Sequence, residues 1–241
     1  MTARTSSIEH SAVQIVDTPL FVPRRFPQPI DANAIHVWFF PQWPGPVHAV
    51  AESALLLALL AGYAQRPASG LCVERGEHGK PHLRDETLEF NLSHSGTAVL
   101  LGLSRRQPLG VDLEARQRKR PLLELARRWF SPREVAALEA LPESLHRRAF
   151  MRLWSCKEAV LKAHGRGIGY GLDRVAFDLD ANGRVTGFDG IGGDATSPAW
   201  QVLSLDPAQD ATAALAWCGP AHRVSAFVAD PDHIQVIAAG L

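Results

Sequence analysis

The sequence has no charge of one sign to spare. Its 25 basic and 25 acidic residues cancel, so no overall field draws in nucleic acid or an anionic membrane, and any asymmetry must be local. Cysteine is scarce too: Cys72, Cys156 and Cys218 are an odd number without metal-type spacing, which argues against a disulfide framework and for a reducing, cytoplasmic compartment. No apolar run reaches the ~18 residues of a membrane span. Arg4, Glu9, His10 and Gln14 come before any apolar stretch, so a signal-peptide core is not expected. Also missing are a Walker-type phosphate loop, a dinucleotide-binding glycine pattern between strand and helix, and a His/Cys cluster for zinc.

What is there is ordinary globular make-up, 46% hydrophobic and 21% charged over 241 residues. That length suits one large domain or two units of about 120 residues. Residues 1–34 are rich in Ser, Thr and Pro and read as an extended lead-in. Ile35–Phe40 reads as a strand, and Val47–Gln65 as one buried apolar helix ended by Gly62 or Pro67. Short β-type runs follow at Leu71–Arg75, Leu88–Asn91, Ala98–Ser104 and Leu109–Glu114. Pro121 and Pro132 fit the first turns of two short helices, with Ser131 as N-cap of the second and Glu134 placed for a capping box. A long helix then carries Trp154–Lys162. Strands return at Val175–Leu179, Trp200–Leu205, Ala213–Trp217, Val224–Val228 and Ile234–Ala238. Helix then sheet, twice, predicts an α+β fold of two similar halves, 1–109 and 110–241, although no repeat exists at residue level.

The chain is organised around that long helix. Phe150, Leu153, Trp154 and Leu161 make a packing stripe, while Glu158 and Lys162 share another face four residues apart, just before the stop at Gly165. Alone, such a pair is a surface ion pair contributing ~0.2–0.5 kcal/mol. Upstream, Gly110-Val111-Asp112-Leu113-Glu114 puts two carboxylates at i and i+2 on one face of a strand, where they can converge on a hard cation such as magnesium, with Glu158 as the third. An isolated Asp-x-Glu is more often a solvated strand end. Gly79-Lys80-Pro81 and Asn91-Leu92-Ser93-His94-Ser95-Gly96 add a lysine on a rigid turn, two hydroxyls and an imidazole.

Taken together and in order, Gly79-Lys80-Pro81, Phe90 to Gly96, Gly110 to Glu114, Phe130-Ser131 with Glu134, Trp154-x-x-Lys157-Glu158-Ala159-x-x-Lys162 and Gly165-x-Gly167 resemble the motifs of the 4'-phosphopantetheinyl transferases. The likeness is to the large, pseudodimeric type that primes peptide and polyketide synthetases. It implies two α+β halves with coenzyme A and Mg²⁺ in the cleft between them. It also implies transfer of the phosphopantetheine arm to a serine of an apo acyl or peptidyl carrier protein, with release of adenosine 3',5'-bisphosphate. Position by position, the resemblance makes Asp112, Glu114 and Glu158 metal ligands and puts Lys162 beside the scissile phosphate, with Lys157 as a neighbouring cation. Lys80, Ser93 and His94 become contacts to the nucleotide end of coenzyme A. Either Glu158 or a metal-bound water would take the serine proton.

In one respect the sequence departs from the family. Members usually carry basic residues near the start of the first long helix, where this chain reads Val47-His48-Ala49-Val50-Ala51-Glu52-Ser53, and its first lysine is Lys80. Either Arg24, Arg25 or His48 replaces them, or the nucleotide end is held more weakly.

Two other readings compete with the transferase. One is a metal-dependent nuclease using Asp112, Glu114 and Glu158, disfavoured by zero net charge and few aromatics in the basic segment; the other is an inactive carrier-binding module, disfavoured by the intact charged set. A monomer that binds neither nucleic acid nor membrane is expected. Between Arg105 and Arg152, twelve Arg or Lys residues stand against six acids, which makes this segment the expected docking surface for an acidic carrier protein.

Overall fold

Every residue from Ala34 to Phe40 is buried, because this strand is covered on both faces. Trp38 and Phe40 pack on one side beneath a helix, while Ile35, Val37 and Phe39 enter a second core between two sheets. The computed structural model describes residues 19–24, 29–84, 87–115, 121–165, 171–189 and 199–229. In chain order these form β1 (Phe21–Arg24), β2 (Ala34–Phe40), α1 (Ala54–Ala64), β3 (Val73–Arg75), β4 (Pro81–Leu83), β5 (Leu88–Ser95), β6 (Ala98–Arg105) and β7 (Leu109–Ala115). Then come α2 (Leu122–Trp129), α3 (Pro132–Ala140), α4 (Glu143–His164), β8 (Ala176–Leu179), β9 (Val185–Asp189), β10 (Trp200–Ala208), β11 (Ala211–Cys218) and β12 (Arg223–Ala229).

The α+β class is as expected. A five-stranded sheet has the order β1-β12-β2-β6-β5, and a three-stranded antiparallel sheet the order β10-β11-β7. Helix α1 covers the first sheet and α4, with α2 and α3, the second, while the third core joins the two sheets. The order of elements is repeated: β2, a helix, the β3–β4 hairpin, then β5 and β6 with β6 between β2 and β5; β7, helices, the β8–β9 hairpin, then β10 and β11 with β11 between β7 and β10. Strand β12 comes from the later part of the chain but lies in the first sheet, parallel to both β1 and β2.

Local structure differs from expectation in identifiable places. The single helix expected over Val47–Gln65 is instead a 3-10 segment, Val47–Glu52, followed by α1. Ser53 breaks it: its backbone is extended and its side chain accepts from Leu56 N–H, a helix start that the apolar pattern conceals. Gly62 lies within α1, which ends at Gln65 in the left-handed region. Strands β1, β4 and β9 have too little alternation to stand out in the sequence. The capping box is as expected, with Ser131 and Glu134 bonded reciprocally. The expected strand Ile234–Ala238, with Arg25 and Gly167, lies outside the described residues.

Candidate active site

The site is built on the free edge of β7. Leu109, Val111 and Leu113 enter the core between the sheets, so alternation turns Gly110, Asp112 and Glu114 toward α4. The helix lies directly on the strand at Gly110, where a Cβ would stand 2.1 Å from Ala159 O and 2.4 Å from Ala163 N. Ala214 and Ala216, opposite Asp112 and Gly110 on β11, keep the rest of that face low. The close approach brings the C-terminal turns of α4 onto the carboxylates.

An edge strand must dispose of its outward backbone groups, and here side chains from the sequence motifs take them. Val111 N–H donates to Asn91 Oδ1 at 2.8 Å, Leu113 N–H to Ser93 Oγ at 3.2 Å and Ala115 N–H to Ser95 Oγ at 3.0 Å. The carbonyls are met by lysines: Lys80 Nζ donates to Leu109 O at 2.9 Å and Lys162 Nζ to Val111 O at 3.1 Å. Lys80 also donates to Lys162 O at 3.2 Å, placing a cation at the C-terminal end of α4, and burial lowers its pKa.

Lys162 Nζ sits 2.7 Å from Asp112 Oδ1 and 3.0 Å from Ser93 Oγ, and Ser93 Oγ donates to Asp112 Oδ1 at 3.0 Å. The other oxygen, Asp112 Oδ2, is buried with no hydrogen-bond partner. Glu158 is only 7% exposed. Burial, then the charges of Asp112 and, less strongly, Glu114, push its pKa up to about 7, against the pull of Lys162. Beside them a cavity of about 190 Å³ is lined by His78, Lys80, Asn91, Leu92, Lys162 and Gly165.

Among the described residues no three His, Cys, Asp or Glu side chains already form a metal cage. The donor set is nevertheless of the kind a hard divalent cation takes: carboxylate oxygens, one of them, Asp112 Oδ2, buried and unsatisfied.

The other expected site residues divide. Ser93 is inside the cluster, whereas His94, its neighbour on β5, is exposed and faces the opposite side. Lys157 is a correction. It is fully buried, its ammonium 2.7 Å from Glu134 Oε2 and donating to Leu172 O and Val175 O, with the Phe130 ring 4.9 Å away. A cation so enclosed cannot reach a phosphate in the cleft. It joins α4 to α3 and to the segment before β8. Sequence reasoning missed Glu134 in this role, and missed the Asn91/Ser93/Ser95 row; polar residues at every second position of a strand otherwise buried were the available signal.

Over 173 residues, 70% of either chain, the sequence is 34% identical to the 4'-phosphopantetheinyl transferase HetI of Nostoc sp.. The chain belongs to this family. Residues 108–218, from the start of β7 to the end of β11, match the model of the 4'-phosphopantetheinyl transferase superfamily. Relatives also include the transferase Sfp of Bacillus subtilis, 33% identical over 134 residues (55% of this chain, 58% of Sfp). A phosphopantetheinyl transferase of Thraustochytrium sp. is 31% identical over 172 residues (66% of this chain, 60% of the relative). The segment that matches the superfamily model holds Asp112, Glu114, Glu158 and Lys162 of the phosphopantetheinyl transferase, whereas Lys80 and Ser93 reach the same site from outside it.

Proposed function

We propose that this chain transfers the 4'-phosphopantetheine arm of coenzyme A to a serine of an apo acyl or peptidyl carrier protein and releases adenosine 3',5'-bisphosphate. The observation that carries the reading is the junction of α4 with β7, where Lys162 lines a cavity and bonds Asp112, Glu158 feels the charges of both, and one carboxylate oxygen is left without a partner. The serine oxygen bonds to the phosphorus that bears pantetheine, the P–O bond to the second phosphate breaks, and that oxygen leaves with the adenosine bisphosphate. Glu158, a carboxylate enclosed in the site, is the group proposed to take the serine proton. Lys162 stands where negative charge develops on the transferring group and the leaving oxygen. Lys80, on the cavity wall, holds the end of α4 in place and faces the nucleotide end. Asp112, Glu114 and Glu158 would hold Mg²⁺, which when bound supplies charge neutralisation for the pyrophosphate.

The two halves, 1–109 and 110–241, are proposed as related units with the site at their seam. A cytoplasmic monomer remains the working arrangement. No helix among the described residues is long and apolar enough to cross a membrane. The test is mass spectrometry of several apo carrier proteins after incubation with this chain, coenzyme A and Mg²⁺. Gain of one phosphopantetheine on any of them is the expected result; Mg²⁺-dependent DNA hydrolysis with no gain on any carrier would favour the nuclease instead.

A further inference from the structure

The stripe that α4 turns toward β7 is marked by its contacts. The backbone of Ala159 and Ala163 approaches the strand at Gly110, and Lys162 reaches Asp112 Oδ1. Ser155 lies four residues before Ala159, three before Glu158 and seven before Lys162, one turn nearer the start of α4 on that same stripe. Asp112, two residues from Gly110, is on the face of β7 that α4 covers, and its charge is felt at both Cys156 and Glu158. The carboxylate therefore lies against the turn that begins at Ser155.

Two side-chain oxygens at this junction are buried without a hydrogen-bond partner among the described residues, Ser155 Oγ and Asp112 Oδ2. Ser155 is fully buried, and its hydroxyl does not turn back to a carbonyl of the preceding turn, the common recourse of a serine inside a helix. One atom carries a proton to give and the other is an acceptor. We propose that Ser155 is a positioning residue for Asp112: by rotation about its Cα–Cβ bond the hydroxyl donates to Asp112 Oδ2 and fixes the plane of the carboxylate. Asp112 is then held at both oxygens, by Ser93 and Lys162 at Oδ1 and by Ser155 at Oδ2. A carboxylate oxygen has two lone pairs, so Oδ2 keeps one for a cation. The competing role for Ser155 is smallness alone, a side chain that lets α4 lie close on β7 as Ala159 does. The effect on cation use rests on the transferase reading, but the bond itself does not.

The two roles predict opposite signs for Ser155→Ala. If only smallness matters, alanine removes an unsatisfied hydroxyl and favours the helix, so the melting temperature rises. If the hydroxyl holds Asp112, the melting temperature at pH 8 without divalent cation should fall by about 2–4 °C, the shift of one lost hydrogen bond in a chain of this size. In an Asp112→Ala background the acceptor is gone, and the same substitution should raise it. A rise in both backgrounds, or an equal fall in both, overturns the proposal. If Asp112→Ala does not fold, Asp112→Asn takes its place, and the fall should be smaller than in the wild type because the acceptor has lost its charge; an undiminished fall overturns the proposal. In the transfer assay, the Mg²⁺ concentration for half-maximal rate should rise about 10-fold or more in Ser155→Ala, the usual effect of removing a partner that orients a ligating side chain, with the KM for coenzyme A near wild type. An unchanged Mg²⁺ requirement also overturns the proposal. A wild type that modifies no carrier counts against the transferase reading only, and the unfolding cycle then decides on Ser155 by itself.

Discussion

Glu158 holds its proton to about pH 7 because burial and the charges of Asp112 and Glu114 disfavour the carboxylate. The sign of the resulting stability effect is fixed. Below the ordinary value of 4.5 folded and unfolded chains are both protonated at this group. Between 4.5 and about 7 the folded chain keeps a proton the unfolded chain has lost, so stability falls as pH rises and levels off above about 7. The loss is on the order of 3 kcal/mol at one group. Buried His36, its pKa pushed down to about 4, gives a slope of opposite sign below pH 6.5, so the contribution of Glu158 is read as a difference: without divalent cation, the melting temperature of the wild type should fall relative to that of Glu158→Gln from pH 5 to pH 8. Added Mg²⁺ should stabilise the wild type more at pH 8 than at pH 5, because it binds the ionised form. A difference between wild type and Glu158→Gln that stays the same from pH 5 to pH 8 would mean that Glu158 is not held protonated. Lys162→Ala should lower kcat more than coenzyme A affinity; an affinity loss with unchanged turnover would make it a binding residue. At this scale the sequence was a good guide where spacing fixes direction: Asp112 and Glu114 share a face of β7, and Glu158 and Lys162 share one of α4. It misplaced Lys157, because its neighbour Glu158 faces the site and nothing in the local pattern shows that the lysine has a buried carboxylate waiting on α3.

The element that sets the site is α4, and its height above β7 is set by one missing side chain. Gly110→Ala would drive a methyl into the backbone of Ala159 and Ala163. Overpacking of this kind costs about 1–3 kcal/mol or more, and here it lifts the very turns that carry Glu158 and Lys162. Circular dichroism should show a lower melting temperature, with transfer lost beyond what instability explains. The buried pair on the other side of the helix gives a second expectation. Lys157→Met leaves Glu134 charged and buried, which costs about 3–5 kcal/mol; pairing it with Glu134→Gln should recover part of the loss. No such recovery would mean that the pair is not coupled. Most elements could be read in advance, since β2, β5, β6, β7, β10, β11 and α4 carry strong periodicity. The break at Ser53 could not, because apolar residues continue without pause through a change of backbone direction.

For the molecule as a whole, the charge imbalance between Arg105 and Arg152 is smaller in space than along the chain. Arg133 pairs with Asp178, and Arg148 and Arg152 with Asp206, acids that lie beyond the segment; Arg105 bonds Ile30 O and Tyr63 O. The expectation that nearby acids are too few to pair these arginines therefore fails for part of the set. Arg116, Arg118, Lys119 and Arg120 lie outside the described residues and remain the proposed docking group, directly after the carboxylates of β7. If they dock an acidic carrier protein, its KM should rise with salt and rise further on charge reversal at Arg118 and Arg120, with the KM for coenzyme A little changed; no salt dependence would remove this surface from consideration. The repeated order of elements was legible as helix then sheet twice over, but the placement of β12 was not, since pairing between residues far apart in sequence leaves no local mark. That placement bears on synthesis. Strand β2 needs β12 along one edge, yet β12 leaves the ribosome nearly 190 residues later, roughly 10–40 s at ordinary elongation rates. Throughout that interval the nascent first sheet has an open, apolar edge, so the chain can complete this sheet only once most of its length has been made, and a chaperone that shields exposed strands has its longest window here.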